Sequence, residues 1–173
     1  HVIFTGSVDA GRTVYQQAAK GLLDCQLELG GKDGAYVAAD ADPKNAAESL
    51  VDGAMYNSGQ SCCGVERVYV HEDLHDAFVD HCAVLIDAYV LGDPSSTATN
   101  LGPLAQASNA TLMTEQIQDA VTKGAELVRG GQTRVIQQAT FFEPTLLTKT
   151  AHDMQVMTLE TFGPILPATH LAS

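Results

Sequence analysis

Two adjacent thiols, Cys62 and Cys63, lie in the segment Asn57-Ser58-Gly59-Gln60-Ser61-Cys62-Cys63-Gly64, with glycines on both sides that allow close backbone approach. A reactive thiol at such a place would serve as a covalent nucleophile. The competing reading is that a cysteine is a small hydrophobe, usually buried and inert, and it is the reading kept for Cys25 and Cys82. Zinc is the other rival. Adjacent cysteines chelate one ion poorly, however, and none of the six histidines forms a recognisable ligand pattern with them, so no metal is expected.

Glu28 is the second candidate. It lies in the apolar stretch Leu27-Glu28-Leu29, directly before the bend Gly30-Gly31, where a substrate or cofactor could come near. A partly buried carboxylate there could take a proton from water. The alternative is an exposed strand residue, or one paired with Lys32 or Arg67. Glu160, in Leu159-Glu160-Thr161-Phe162-Gly163-Pro164, is an acid beside an aromatic in a glycine-proline turn. It could bind a sugar hydroxyl or simply shape a loop. Thr5-Gly6-Ser7 precedes a helical stretch, and the free amides of a helix start attract phosphate. The full G-x-G-x-x-G fingerprint is not met, since only Gly6 and Gly11 fall in the window.

The elements that must position these residues alternate. A strand over residues 2–4 leads through the Thr5-Gly6-Ser7 turn to a helix, and residues 25–29 and 35–39 look extended on either side of a glycine-rich stretch. Asp42-Pro43 predicts a helix opening, with Ala46, Ala47, Leu50, Val51 and Ala54 as its apolar stripe and an end near Asn57-Ser58-Gly59. Residues 65–70 alternate as a strand, and Leu74, Phe78, Cys82, Leu85 and Tyr89 mark a helix closed by Gly92-Asp93-Pro94. A helix over about residues 108–123 is expected next, then an extended 126–128 and a turn at Gly130-Gly131. Short strands and loops come after it around residues 141–147 and 162–166. Strands alternating with helices of this length predict an α/β fold with a mostly parallel sheet flanked by helices.

Composition narrows the function classes. The chain has 173 residues, enough for about one domain with a real core. Lys and Arg together number 9 against 21 Asp and Glu, for a formal charge of −12, so no long basic track for nucleic acid exists. No apolar run approaches the roughly 18–20 residues a membrane-spanning helix needs. The start, His1-Val2-Ile3-Phe4, does not read as a signal peptide and looks like a strand within a longer chain. Four cysteines are too sparse for a disulfide scaffold, and a reducing, cytoplasmic setting is expected.

Taken in order, Phe4-Thr5-Gly6-Ser7, Glu28-Leu29-Gly30-Gly31-Lys32, Asn57-x-Gly59-Gln60-x-Cys62 and Glu160-x-Phe162-Gly163-Pro164 resemble the aldehyde dehydrogenase superfamily over essentially the whole chain. The resemblance implies an aldehyde dehydrogenase-like catalytic domain, with residues 1–26 as the tail end of a nucleotide-binding domain and 27–173 as the thiol domain. By the same resemblance Cys62 is the nucleophile, Cys63 a bystander and Glu28 the general base. Gly6 and Ser7 would lie near the pyrophosphate of NAD or NADP, Leu29 near the nicotinamide amide, Glu160 on the nicotinamide ribose and Phe162 beside the nicotinamide. Lys32 and Gln60 match motif positions and are assigned structural roles.

The reaction implied by the resemblance is NAD(P)-dependent oxidation of an aldehyde to a carboxylic acid through a cysteine thiohemiacetal and thioester. The Cys62 backbone N–H is one candidate oxyanion donor; the family's other donor is an asparagine from an amino-terminal part that this sequence does not include. Family members resemble chains of about three times this length. A portion of this size is therefore not expected to hold the cofactor completely, and a homo-oligomer is expected of the full-length form. Two alternatives stay open: a relative that passes the acyl group to coenzyme A, and a non-catalytic relic.

Overall fold

The structure, a computed structural model, describes residues 1–171 and contains two compact units, His1–Gly31 and the chain from Lys32 onward. In the first unit β1 (Val2–Thr5) and β2 (Cys25–Glu28) pair in parallel, with Thr5 opposite Glu28, and α1 (Val8–Lys20) connects them. The helix starts where Ser7 can cap it. The Ser7 side chain accepts from the Ala10 amide at 3.3 Å, and Gly21 closes the other end through the Ala18 carbonyl. Gly11 is buried because Leu29 packs on it; a Cβ there would come 2.5 Å from a Leu29 methyl. The break between the units falls after Gly31, so β2 stays with its partner β1.

The second unit is a five-stranded sheet in the order β3 (Asp33–Val37), β4 (Val65–His71), β9 (Ile165–Leu171), β8 (Thr145–Thr148), β5 (Glu126–Arg129). Every pairing is parallel except that of the antiparallel edge strand β5, in keeping with the α/β fold read from the sequence. On one face α2 (Pro43–Met55) and α3 (His75–Asp87) bury Ala47, Val51, Ala54, Phe78, Cys82 and Ile86 against Val68, Val70, Leu146, Leu166 and Ala168. On the other, α4 (Asn109–Thr122) and the one-turn α5 (Gln155–Thr158) cover Leu147 and Ile165 with Met113, Ile117, Val156 and Met157. Neighbouring residues of the central strands β8 and β9 thus enter opposite cores, which is why all of β8 and the first four residues of β9 are buried. No helix among the described residues is long and apolar enough to cross a membrane.

One local expectation is corrected, and two features are defined more finely than the sequence allowed. α3 stops at Asp87, ahead of Gly92-Asp93-Pro94, and the chain continues to an isolated bridge between Leu91 and Leu101, with the Asn100 side chain accepting from the Val90 amide at 2.6 Å. The stretch around 141–147 is two strands, since Glu143-Pro144 separates β7 (Ala139–Phe142) from β8. β7 also pairs with β6 (Thr133–Ile136) in a hairpin that the sequence did not announce. Its two turn residues, Gln137 and Gln138, both take positive φ (49° and 70°) where Asn-Gly is the usual signal, so the turn carries no recognisable punctuation.

Candidate active site

The cysteine segment is set by a tight turn where α2 ends. Asn57, Ser58 and Gly59 follow one another in the left-handed region, with φ of 51°, 57° and 70°. Two of these are not glycine, and each costs about 1–2 kcal/mol relative to right-handed backbone, so the surroundings must hold them. They do so through side chains. Asn57 Nδ2 donates to the Gln60 carbonyl at 3.0 Å, Gln60 Nε2 donates to the Asn57 carbonyl at 3.1 Å, and buried Ser58 donates from Oγ to the Gly102 carbonyl at 2.9 Å. Gln60 Oε1 also accepts from the Ala105 amide at 2.8 Å, which ties residues 102–105 to the turn. Beyond this clamp Cys62 and Cys63 are exposed, and Cys63 Sγ lies 3.4 Å from Ser61 Oγ. A thiol on a fixed backbone with its sulfur open to solvent can attack an incoming electrophile.

The turn is also pressed against a second loop. A Cβ on Gly59 would lie 2.1 Å from the Gly163 carbonyl oxygen, so only glycine lets the cysteine turn meet the Glu160–Pro164 segment. That segment is organised from beneath by a network in which Lys32 and Thr161 belong to the sequence motifs and Glu66 and Gln116 do not. Glu66, on the inward parity of β4 with Val68 and Val70, is buried with its carboxylate pointing at the loop. Its Oε2 accepts from Lys32 Nζ at 2.7 Å and from the Thr161 amide at 2.8 Å, and its Oε1 accepts from the Phe162 amide at 2.9 Å. Lys32 Nζ donates again to Thr161 Oγ1 at 3.0 Å, Thr161 Oγ1 donates to Gln116 Oε1 at 2.8 Å, and Gln116 Nε2 donates to the Glu160 carbonyl at 3.1 Å. Burial lowers the Lys32 pKa from the ordinary lysine value, against the raising effect of Glu66. The one sequence signal for this group is a charged residue in phase with the buried positions of an alternating strand.

Glu160 and Phe162 are both half-buried on this loop; Phe162 takes a φ of 49°, and the Glu160 carboxylate also raises the Lys32 pKa. In the first unit Gly6 and Ser7 are exposed at the start of α1, and the Gly6 amide donates to the Glu28 carbonyl at 3.1 Å. Glu28 ends β2 and is exposed, which is the exposed-strand alternative its local sequence left open rather than the partly buried carboxylate, and Leu29 is half-buried over Gly11. Gly6, Ser7 and Glu28 therefore share the carboxyl ends of two parallel strands, the usual ligand side of such a unit. Lys32 pairs with Glu66, and Gln60 with the 102–105 backbone. A cleft of about 390 Å³ bounded by Ala110, Thr114, Val135 and Thr140 includes none of the sequence-derived site residues.

The sequence matches the model of the aldehyde dehydrogenase family over residues 1–173. The chain belongs to the aldehyde dehydrogenase family. It is similar to the succinate-semialdehyde dehydrogenase [NADP(+)] of Deinococcus radiodurans, with 39% identity over 164 residues, 95% of this chain and 34% of that protein. Among solved structures it is similar to the lactaldehyde dehydrogenase of Escherichia coli, with TM-score 0.93, 36% identity, and coverage of 99% of this chain and 36% of that one. Similarity to the succinate-semialdehyde dehydrogenase of Burkholderia pseudomallei is of the same order, at TM-score 0.93, 37% identity, and 99% and 35% coverage. The chain thus spans about a third of the length of the curated aldehyde dehydrogenases it matches.

Proposed function

We propose that the protein carrying this chain oxidises a small or medium aldehyde to its carboxylic acid with NAD or NADP, using Cys62 as nucleophile and Glu28 as general base. The first compact unit, His1–Gly31, is then the tail of a nucleotide-binding domain and the chain from Lys32 onward belongs to the thiol domain, a boundary five residues beyond the 26/27 division expected from the motifs. The observation that carries the reading is the clamped left-handed turn that leaves the Cys62 thiol exposed while its Gly59 meets the Glu160–Pro164 loop.

The residues present fit a dinucleotide in two places. Exposed Gly6 and Ser7 sit at the amino end of a thirteen-residue helix, where first-turn amides attract a pyrophosphate. Glu160 and Phe162 occupy a loop whose backbone is tied down, which suits a carboxylate for ribose hydroxyls and a ring for the nicotinamide. Leu29 would contact the nicotinamide amide. NAD or NADP held there would supply the hydride acceptor for the reaction.

The chain's own residues do the rest. The Cys62 thiolate adds to the aldehyde carbon, forming the C–S bond and an oxyanion toward which the Cys62 backbone N–H can donate. This tether turns an encounter with a carbonyl into an intramolecular arrangement. Loss of hydride leaves a thioester on Cys62. Glu28 takes a proton from water, the resulting hydroxide adds to the thioester carbon, and the acid departs as the Cys62 sulfur leaves. Substrate is a small-molecule aldehyde, the relatives' names including NADP-dependent succinate-semialdehyde dehydrogenase, and self-association in the cytoplasm completes the reading.

The deciding assay uses the protein that carries the chain, with NAD+ and NADP+ against a panel of aldehydes. In Glu28→Gln a burst of about one reduced cofactor per Cys62, followed by slow turnover, is expected. An unchanged steady-state rate would remove Glu28 from its role; acid formation that requires coenzyme A would favour acyl transfer; no oxidation of any aldehyde would favour a relic.

A further inference from the structure

Glu66 bonds two successive amides of the Glu160–Phe162 loop as well as the Lys32 ammonium. Its side chain is 5% exposed and that of Lys32 9%, and a buried ion pair is seldom better for stability than apolar groups of the same shape. The carboxylate is filled by the Lys32 ammonium and by two consecutive loop amides, those of Thr161 and Phe162. The second of these belongs to a residue in the left-handed region, a conformation that a bulky aromatic holds only when its neighbours impose it. Gln116 holds the Glu160 carbonyl from the other side and is itself fixed by Thr161, so each of residues 160, 161 and 162 is tied by backbone or hydroxyl to one connected network. Glu66 stands on β4, a strand paired on both sides, which is a rigid base for positioning.

We propose that Glu66, clamped by Lys32, is a positioning residue that fixes the backbone of Thr161 and Phe162 so that the loop presents Glu160 and the Phe162 ring to the cofactor. The proposal rests on the reading of Glu160 and Phe162 as cofactor contacts. Neither Glu66 nor Lys32 touches the cofactor; both act through the loop. Charge-assisted bonds to two successive amides set the peptide plane between them, and with it the directions in which the flanking side chains leave the backbone.

The test measures KM for NAD(P)+, kcat, thermal midpoint and the rate of Cys62 alkylation without cofactor, in the protein that carries the chain. For Glu66→Gln, the expected result is a KM for cofactor raised about tenfold or more, with kcat lowered less and Cys62 alkylation within about twofold of the unaltered protein. Should that variant fail to fold because Lys32 is left without its counter-charge, the double variant Lys32→Met with Glu66→Gln removes both charges. It is expected to recover the thermal midpoint while keeping the raised KM. A KM unchanged in the folded variant, or a raised KM that returns to its starting value together with the alkylation rate and the midpoint in the double variant, overturns the positioning role. Glu160→Gln separates the two readings. If it raises the cofactor KM and Glu66→Gln does not, only the positioning role fails; if neither variant moves it, the cofactor reading of the loop fails as well.

Discussion

Cys62 and Cys82 carry the same thiol in the same compact unit and meet opposite fates. Cys82 sits at the middle of α3 with no solvent exposure, packed among Phe78, Ile86 and the sheet, and burial pushes its pKa up to about 12. Cys62 stands just past a turn in which three residues are forced left-handed and held by Ser58, Asn57 and Gln60, with its sulfur in solvent. In α3 the chain does nothing unusual: a regular helix places a small hydrophobe in its stripe. At the cysteine turn it accepts local strain and a ring of side-chain hydrogen bonds to hold a polar, oxidisable group at the surface. The difference teaches that backbone conformation, clamping and burial set how accessible a thiol is, whereas the residue type alone does not.

The largest effect expected from breaking this comparison is loss of turnover. Cys62→Ser should lower kcat for aldehyde oxidation by about 10³-fold or more, because a serine hydroxyl, which stays protonated near neutral pH, is a far weaker nucleophile than a thiolate. Cys63→Ser should retain most activity, and Cys82→Ser should alter stability while leaving the kinetics of folded protein near their starting values. Steady-state rates on the three variants decide the matter. Reversal of the first two would move the nucleophile to Cys63.

Much of this was legible before any coordinates. Asp42-Pro43 opens α2, with the Asp42 side chain accepting from the Lys44 and Asn45 amides, and the Thr5-Gly6-Ser7 turn precedes α1, because caps, turns and first-turn prolines act within a few residues and so are written locally. The stripe that buries Cys82 was readable for the same reason. The β6–β7 hairpin was not, since Gln137-Gln138 adopts its turn against local preference and only pairing across the hairpin imposes it. Glu66 was hidden differently. Its partners Lys32, Thr161 and Phe162 lie 34, 95 and 96 residues away, and nothing near it in sequence shows that a buried carboxylate will be satisfied. The motif residues Lys32 and Gln60 could be given structural roles in advance; the buried Glu66 that ties Lys32 to the Thr161 and Phe162 amides could not.

A second prediction sharpens the contrast between the thiols without any substitution. Alkylation by iodoacetamide near pH 8 should modify Cys62 well before Cys82, by a factor of about 10³ or more, since a thiol with a pKa near 12 is ionised only to about one part in 10⁴ at that pH and is sealed from reagent as well. Cys82 should become reactive only in denaturant. The measurement is peptide-level mass spectrometry over time. Equal rates for the two cysteines in native protein would show that exposure and burial do not govern their chemistry. The depressed acidity also has a stability consequence. The unfolded thiol ionises more readily than the folded one, so the Cys82 contribution is intact below the unfolded value, near 9.0, and is lost progressively as pH rises from there toward 12.

The smallest effect concerns the backbone that makes the two environments differ. Gly59 has a φ of 70°, and an added Cβ would fall 2.1 Å from the Gly163 oxygen, 2.2 Å from its carbonyl carbon and 2.6 Å from the Pro164 nitrogen. All three are backbone atoms, so no side chain can swing aside and the two loops must separate. Left-handed strain and overpacking together put the cost of Gly59→Ala at about 2–5 kcal/mol. The matching change beside the other thiol, Ala83→Gly in α3, should cost about 1–2 kcal/mol from helix propensity and a lost buried methyl, and should leave turnover of the folded protein unchanged. Denaturant unfolding and kcat measured on both variants separate the two kinds of site. If Gly59 matters only as a spacer for packing, Gly59→Ala loses stability alone; if the contact between loops also sets where the thiol stands relative to Glu160 and Phe162, turnover must fall in the protein that remains folded. A Gly59→Ala variant with unaltered midpoint and turnover would mean that the turn and the loop beneath it do not depend on each other, and the clamp would lose its claim on the chemistry.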